Sequence, residues 1–323
     1  MWRFKQFKKQ GGFQFLMNMY TTKTLFYALS IFPFFSESKK SLEIFRLAIA
    51  NRTYRYISRK FKGTKVTYKF ADTSMEKIAQ NKNAIWFMWQ QGMENAPRLV
   101  KYNLAVLQKR FGKDRVKVIT EKNLFDYIEL PEFIKTKIEK KIISPTHFSD
   151  IVRIQLLATY GGMWVDSTLL FSGDLPEVIY NQSFFVPQTL KPGRDGKAIP
   201  VSNWLIVSKS NSDIVNRMRD LLFYYWEIYD RSVDYFIFHH LLMLVFDEFL
   251  SEFQDMIVYD NTQPHALLIA MKTKKMDTKE IKEYIQLSPI HKLTNKLDTA
   301  FEEENQKKLI EFVKDELIND NDK

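Results

Sequence analysis

The chain has 323 residues, 45% of them hydrophobic and 15% aromatic, enough to bury the core of one large domain or of one domain with an appendage. It contains no cysteine, which excludes a disulfide framework, a thiolate metal site and a cysteine nucleophile. The net charge of +10 is concentrated at the start, where residues 1–62 carry thirteen Lys and Arg against two Glu; the remainder is close to neutral, which argues against nucleic-acid binding by the main domain.

In chain order, the first element is an apolar, aromatic stretch from Phe13 to Phe35. Gln14, Asn18 and Lys23 interrupt it too early for a spanning helix, which needs about 20 mostly apolar residues. Two readings stand side by side. The segment lies on an anionic membrane surface at the cytoplasmic face, or it packs its phenylalanines on the core. Residues 41–62 continue as a helix, with Leu42, Phe45 and Ile49 at helical spacing and Arg52, Arg55 and Arg59 as a basic stripe, until Gly63 breaks the pattern.

From Ala84 short strands and helices alternate. The run from Ala84 to Trp89 suits a buried strand, and Pro97 opens a helix carrying Leu99, Val100, Leu104 and Leu107. Val116–Ile119 reads as a second strand. Ser149 reads as the N-cap of a helix running to about Tyr160, Gly161 as its stop, and Met163–Val165 as a third strand. Further strands are expected near Ser183–Val186 and Trp204–Val207, and helices after Ser212, over Tyr235–Phe249 and from Asp298. This order predicts an α/β fold with a mainly parallel central sheet and a helical N-terminal extension. The expected organisation is a basic N-terminal segment (1–63), a main domain (64–297) and a charged C-terminal helix and tail (298–323).

Asp166 falls where the third strand ends, the position at which open α/β sheets bind ligands. A carboxylate there suits a divalent cation that neutralises a diphosphate, and Thr168, two residues on, projects to the same side. A turn or cap role is the plainer alternative. Asp150 and Arg153, three apart on the preceding helix, share a face as an ordinary ion pair or as contacts to a sugar and a phosphate. Ser288–Lys296 reads as a polar loop whose His291 is a candidate cation ligand and whose Lys292 and Lys296 offset diphosphate charge. Trp89, at a strand end, is placed to stack on a base. His239 and His240 sit in an aromatic and aliphatic helix, and a packing role is expected for at least one of them. No P-loop, G-x-G-x-x-G or HExxH spacing is present.

Taken together, Ile85–Gly92 with Asn95-Ala96-Pro97, Ser149–Arg153, Tyr160–Thr168, Ser202-Asn203-Trp204, Asp234–His239 and Ser288–Leu293 resemble the capsular polysaccharide synthesis protein family, a bacterial branch related to DxD-type glycosyltransferases. The pieces run in family order over about residues 84–297. The resemblance implies a GT-A fold (Rossmann-like), a UDP- or GDP-linked sugar donor, Mn²⁺ or Mg²⁺ as cofactor, and transfer with retention of configuration. It implies Asp150, Arg153 and Asp166 as catalytic-site residues and Trp89, Gln91, Gly162, Thr168, Lys292 and Lys296 as donor-binding residues. Asp166 and His291 become the implied metal ligands. One departure stands out: Thr168 replaces the second Asp of the DxD motif, which lowers the expected metal affinity.

The expected function is sugar transfer to a glycan or lipid-linked oligosaccharide in surface-polysaccharide synthesis, at the inner face of the cell membrane. The alternative is a non-catalytic, membrane-surface assembly protein that keeps the fold.

Overall fold

The computed structural model describes residues 13–71, 73–189 and 200–319, so the basic Arg3, Lys5, Lys8 and Lys9 lie outside the described residues. It opens with three helices, α1 (Phe13–Thr21), α2 (Leu25–Ile31) and α3 (Lys39–Phe61). Ser38 caps α3, its side chain accepting from the Ser41 amide at 3.1 Å. Met19, Ala28 and Ile49 form a small apolar cluster with Phe15, Leu25 and Phe45 against it. Phe13, Leu16 and Tyr20 on α1 and Phe26 and Leu29 on α2 remain exposed. Some of its apolar side chains thus pack in this small cluster and others face outward. The last turns of α3 send Tyr54, Ile57 and Phe61 into the main core.

The central sheet is built on β1 (Ile85–Met88), whose four residues are all buried, as a continuous apolar run in an interior strand requires. Helix α4 (Arg98–Phe111) leads to β2 (Val116–Ile119), and α5 (Pro145–Tyr160) leads to β3 (Gly162–Val165). A small strand β4 (Leu169–Phe171) follows, then β5 (Phe184–Phe185) and β6 (Leu205–Ser208). The order across the sheet is β2-β1-β3-β6-β5. Strands β2, β1 and β3 pair in parallel, whereas β6 runs antiparallel to both β3 and β5. Only β6 is thus reversed, which satisfies the expectation of a mainly parallel sheet.

Helix α5 begins earlier than its sequence suggests. Ser144, not Ser149, is the N-cap, with its side chain accepting from the His147 amide at 3.4 Å and Pro145 in the first turn. The helix is buried nearly all round, so apolar periodicity marks its start poorly. It ends at Gly161, with φ of 69°. Gly162 then takes φ of 91°, and a Cβ there would lie 2.2 Å from the Ala84 carbonyl oxygen. The Gly-Gly pair is a packing device: it lets β3 close onto β1, so that Trp86 pairs with Trp164, and the Trp86 Nε1–H donates to the Gly161 carbonyl at 2.9 Å.

Two further helices, α6 (Asp213–Ile228) and α7 (Ile237–Glu248), pack beside α5 and beside each other respectively. The stretch read as a polar loop contains a strand, β7 (Ile290–Lys292), which pairs antiparallel with β4. The C-terminal helix α8 (Ala300–Phe312) contributes Leu309, Ile310 and Phe312 to the main core. With Tyr54, Ile57 and Phe61 at the other end, the core crosses both expected boundaries, at 63/64 and 297/298.

Substituting Ala at Gly162 should cost about 3 kcal/mol or more, because strained φ adds to a backbone clash. Gly63→Ala, with φ of 74° but open space around its Cβ, should cost only about 1 kcal/mol. Urea unfolding of the two variants checks this; equal, small losses would contradict the β1–β3 register.

Candidate active site

The carboxyl ends of β1 and β3 lie at one edge of the sheet, and the antiparallel course of β6 brings the residues preceding it to the same edge. Val165 pairs with Leu205, and the Asp166 amide donates to the Trp204 carbonyl at 2.9 Å. Asp166 leaves the strand and turns at once. The Thr168 amide and hydroxyl both donate to Asp166 Oδ1, at 3.0 and 2.8 Å, in a turn closed by the Asp side chain. The β4–β7 ladder then delivers Lys292, whose Nζ donates to Asp166 Oδ1 at 3.1 Å and to Thr168 Oγ1. Burial raises the Asp166 pKa, but Lys292, Arg153 and the Thr168 hydrogen bonds outweigh it and hold the carboxyl well below the usual carboxylate range.

Beside this turn, α5 carries a buried ion pair. Asp150 and Arg153 are each 4% exposed, with Arg153 Nη1 3.1 Å from Asp150 Oδ1. Charges taken out of water need further polar partners to hold them. Asn203, two residues before β6, supplies them to both: its Nδ2 donates to Asp150 Oδ1 at 2.9 Å and its carbonyl accepts from Arg153 Nη1 at 2.9 Å. Ser149 Oγ accepts from Arg153 Nη2 at 3.1 Å, and the guanidinium carbon sits 5.0 Å from the Trp164 ring centroid. Asp150 Oδ2 faces His147, with Nδ1 3.6 Å away.

The structure adds residues to which the sequence assigned no role at the site. Asn203 stood within a recognised stretch, but a lone Asn carries no spacing signal that links it to a helix fifty residues away. Tyr235, 64% exposed, has its pKa raised by partial burial and then by the Asp150 and Asp166 charges, which places its hydroxyl in the field of both carboxylates. His239, one of the two adjacent histidines of α7, is half-buried; burial pushes its pKa down to about 4, against the opposing pull of Asp150.

Other expected site residues are placed differently. Trp89 follows β1 at the correct edge, half-buried against the core, and Gln91 beyond it is exposed with its carbonyl accepting from Asn95. Gly162 stands at the opposite end of β3 and has the packing role given above. Lys296 is exposed, four residues beyond Lys292, and no side-chain partner is found for it among the described residues.

His291 is not brought to Asp166. Neighbouring strand residues project to opposite faces, so with Lys292 turned to Asp166, His291 turns away. It is 1% exposed and its Nε2 meets Ser172 Oγ at 2.9 Å. Burial pushes its pKa down to about 4. Among the described residues no three His, Asp or Glu side chains group as a cation-binding set. Asp166 Oδ1 already accepts from an ammonium, an amide and a hydroxyl. The donor set therefore does not fit the expected divalent cation, and the expected Asp166–His291 ligand pair is not formed.

A groove of about 1780 Å³ lined by residues including Tyr68, Phe70, Arg219 and Glu248 lies apart from this edge, and Asp150, Arg153, Asp166 and Lys292 do not line it. Its lining includes the ion pairs Arg217–Glu248 and Arg219–Asp220.

This end of the sheet sets two carboxylates, Asp150 and Asp166, beside two cations, Arg153 and Lys292, in an α/β protein. The profile of the capsular polysaccharide synthesis protein family matches residues 35–312, and the chain belongs to that family. It is similar to the "O-glycosyltransferase PaGT" of Phomopsis amygdali, 24% identical over 204 residues that cover 59% of this chain and 50% of that protein. It is also similar to the "O-glycosyltransferase braB" of Annulohypoxylon truncatum, 25% identical over 169 residues, 46% of this chain and 39% of the relative. The chain thus matches half or less of the length of these relatives. A solved structure of the "PaToxG Glycosyltransferase" aligns over 84% of this chain and 94% of its own at 12% identity, with a TM-score of 0.35, which carries no conclusion.

The buried neutral imidazole of His291 makes stability depend on pH. Its folded pKa of about 4 lies below the ordinary value of 6.5, so its contribution is complete above about pH 6.5 and lost as pH falls towards 4. The expected loss is on the order of 3 kcal/mol. Urea unfolding between pH 7.5 and 4.5 should show this decline, and His291→Gln should make it shallower while leaving the part that the buried His239 contributes.

Proposed function

We propose that this chain is a glycosyltransferase that moves a sugar from a UDP- or GDP-linked donor to a glycan or lipid-linked acceptor. The observation that carries the reading is the juxtaposition at one sheet edge of the buried Asp150–Arg153–Asn203 cluster with the Asp166–Thr168–Lys292 cluster. Family membership and the printed activity of both relatives support it. We also read the mixed sheet, with Asp166 following its third strand, as a GT-A arrangement, and the transfer as retaining.

The main chemical need in such a transfer is to stabilise the departing diphosphate as the sugar–phosphate bond breaks. Preorganised cations in a partly dry site do this at little reorganisation cost. Arg153 and Lys292 are held for that task. Asp150, whose Oδ2 is the less engaged oxygen, accepts hydrogen bonds from sugar hydroxyls. Asp166 orients the ribose or the sugar and fixes Lys292. A panel of nucleotide sugars, assayed for hydrolysis and transfer, tests the reading. Asp166→Ala should lower turnover about 100-fold or more while the protein stays folded, with a thermal midpoint lowered by the loss of the Thr168 and Lys292 hydrogen bonds. Full activity in that variant would remove Asp166 from the site. No hydrolysis, transfer or nucleotide binding by the parent would return the alternative of a non-catalytic assembly protein.

We further place the enzyme on the inner face of the cell membrane. Phe13, Leu16 and Tyr20 follow one face of α1, and with Phe26 and Leu29 of α2 they stay exposed within a segment whose first 62 residues are strongly basic. Among the described residues no helix is long and apolar enough to cross a membrane. Co-sedimentation should show binding to phosphatidylglycerol-containing vesicles, weaker binding to pure phosphatidylcholine, and loss in Phe26→Asp/Leu29→Asp. Equal binding to both vesicle types would exclude the electrostatic part.

A further inference from the structure

We propose that Lys292 is the resident cation of the donor site, its ammonium meeting the nucleotide diphosphate in the place where related enzymes bind a divalent metal ion. This rests on the donor reading given above and goes beyond it, because it puts Lys292 in place of the metal ion at the Asp166–Thr168 turn.

The position of Lys292 is fixed by backbone. Leu169 pairs with Lys292 in the β4–β7 ladder, and the Leu293 amide donates to the Thr168 carbonyl at 2.9 Å. The side chain therefore emerges beside the Asp166–Thr168 turn as a consequence of sheet register. Its ammonium touches both side chains of the Asp-x-Thr pair, Asp166 Oδ1 and Thr168 Oγ1. Those are the two positions at which a DxD motif would offer carboxylates to a metal. An ammonium has three donors and no acceptor; two are spent on Asp166 and Thr168, and the third has no partner among the described residues. The Lys292 side chain is 19% exposed, so this donor has access to solvent.

The charge balance points the same way. With threonine at the second position, the pair carries one negative charge, which Lys292 matches. A divalent ion bound to the same Asp166 oxygen would sit against the ammonium, a like-charge contact that disfavours both. Further carboxylate or imidazole ligands that could offset this are not gathered there, since His291 turns to Ser172. Thr168 fits the ammonium better than a carboxylate would, because its hydroxyl donates to Asp166 while accepting from Lys292. The Thr168 replacement and the Lys292 placement are in this way two halves of one arrangement.

Titration of the purified full chain with UDP and GDP, in EDTA and separately in Mn²⁺, tests the proposal. Parent protein should bind one of the two nucleotides with affinities that agree within about threefold in the two arms. Lys292→Ala should weaken diphosphate binding roughly 10- to 100-fold in both arms, the range for a lost hydrogen bond to a charged group. Lys292→Arg should recover part of it. Binding of uridine or guanosine, followed by saturation-transfer NMR, should persist in Lys292→Ala and weaken far less than diphosphate binding, which separates loss of a phosphate contact from loss of the fold. Diphosphate binding that needs Mn²⁺, or that Lys292→Ala leaves intact, would overturn the proposal while leaving the donor reading standing. Absence of UDP and GDP binding in both arms would overturn the donor reading and this proposal with it.

Discussion

The structure depends most on one interaction, the Asp150–Arg153 ion pair inside a helix that is otherwise an apolar core element. Removing two charges from water is costly, and the pair persists because Asn203 and Ser149 complete its hydrogen bonding. That requirement ties α5 to the chain entering β6. The same stretch of chain accepts the Asp166 amide through the Trp204 carbonyl. Helix, reversed strand and the Asp166 turn are therefore held in one geometry by polar groups whose loss would leave a buried charge unpaired. A site built this way is set before any ligand arrives.

Reversal of strand direction supplies the rest. Had β6 run parallel to β3, Asn203 would stand at the far end of the sheet and the buried pair would lack its partner. The antiparallel β4–β7 ladder works similarly over a longer span, bringing Lys292 to Asp166 across more than a hundred residues. The β3–β6 and β4–β7 pairings each carry one polar side chain to the edge that the parallel strands define.

What the sequence disclosed follows from the range of its signals. Asp150, Arg153 and Asp166 lie within seventeen residues, so helical spacing, a glycine stop and a strand end sufficed to group them. The buried strand β1 was plain from its apolar run, and the order of elements predicted the sheet. Strand β7 was hidden because three residues, one apolar and two polar, preceded by Ser288 and Pro289, are too few to show an alternation. Missing it also lost the parity of His291 and Lys292, which decides which of them faces Asp166. Asn203 was invisible as a partner because only the fold brings it near. Gly162 was assigned to the ligand, although what it contacts is the Ala84 carbonyl; a glycine next to a motif serves backbone approach as readily as binding. The N-terminal aromatic residues were ambiguous for a physical reason: the same amphipathic pattern packs on protein or faces outward, and here it does both.

The tryptophans of the sheet have an optical consequence. Trp86 and Trp164 are cross-strand neighbours, Trp164 lies under the Arg153 guanidinium, and Trp89 and Trp204 flank the same edge. Indole emission responds to nearby charge and to solvent access, so this part of the protein carries its own fluorophores at the place where charge would change on ligand binding. Trp226, against the His147 ring, extends the group to the far side of Asp150. Intrinsic fluorescence is thus a local signal of the site, available without a label.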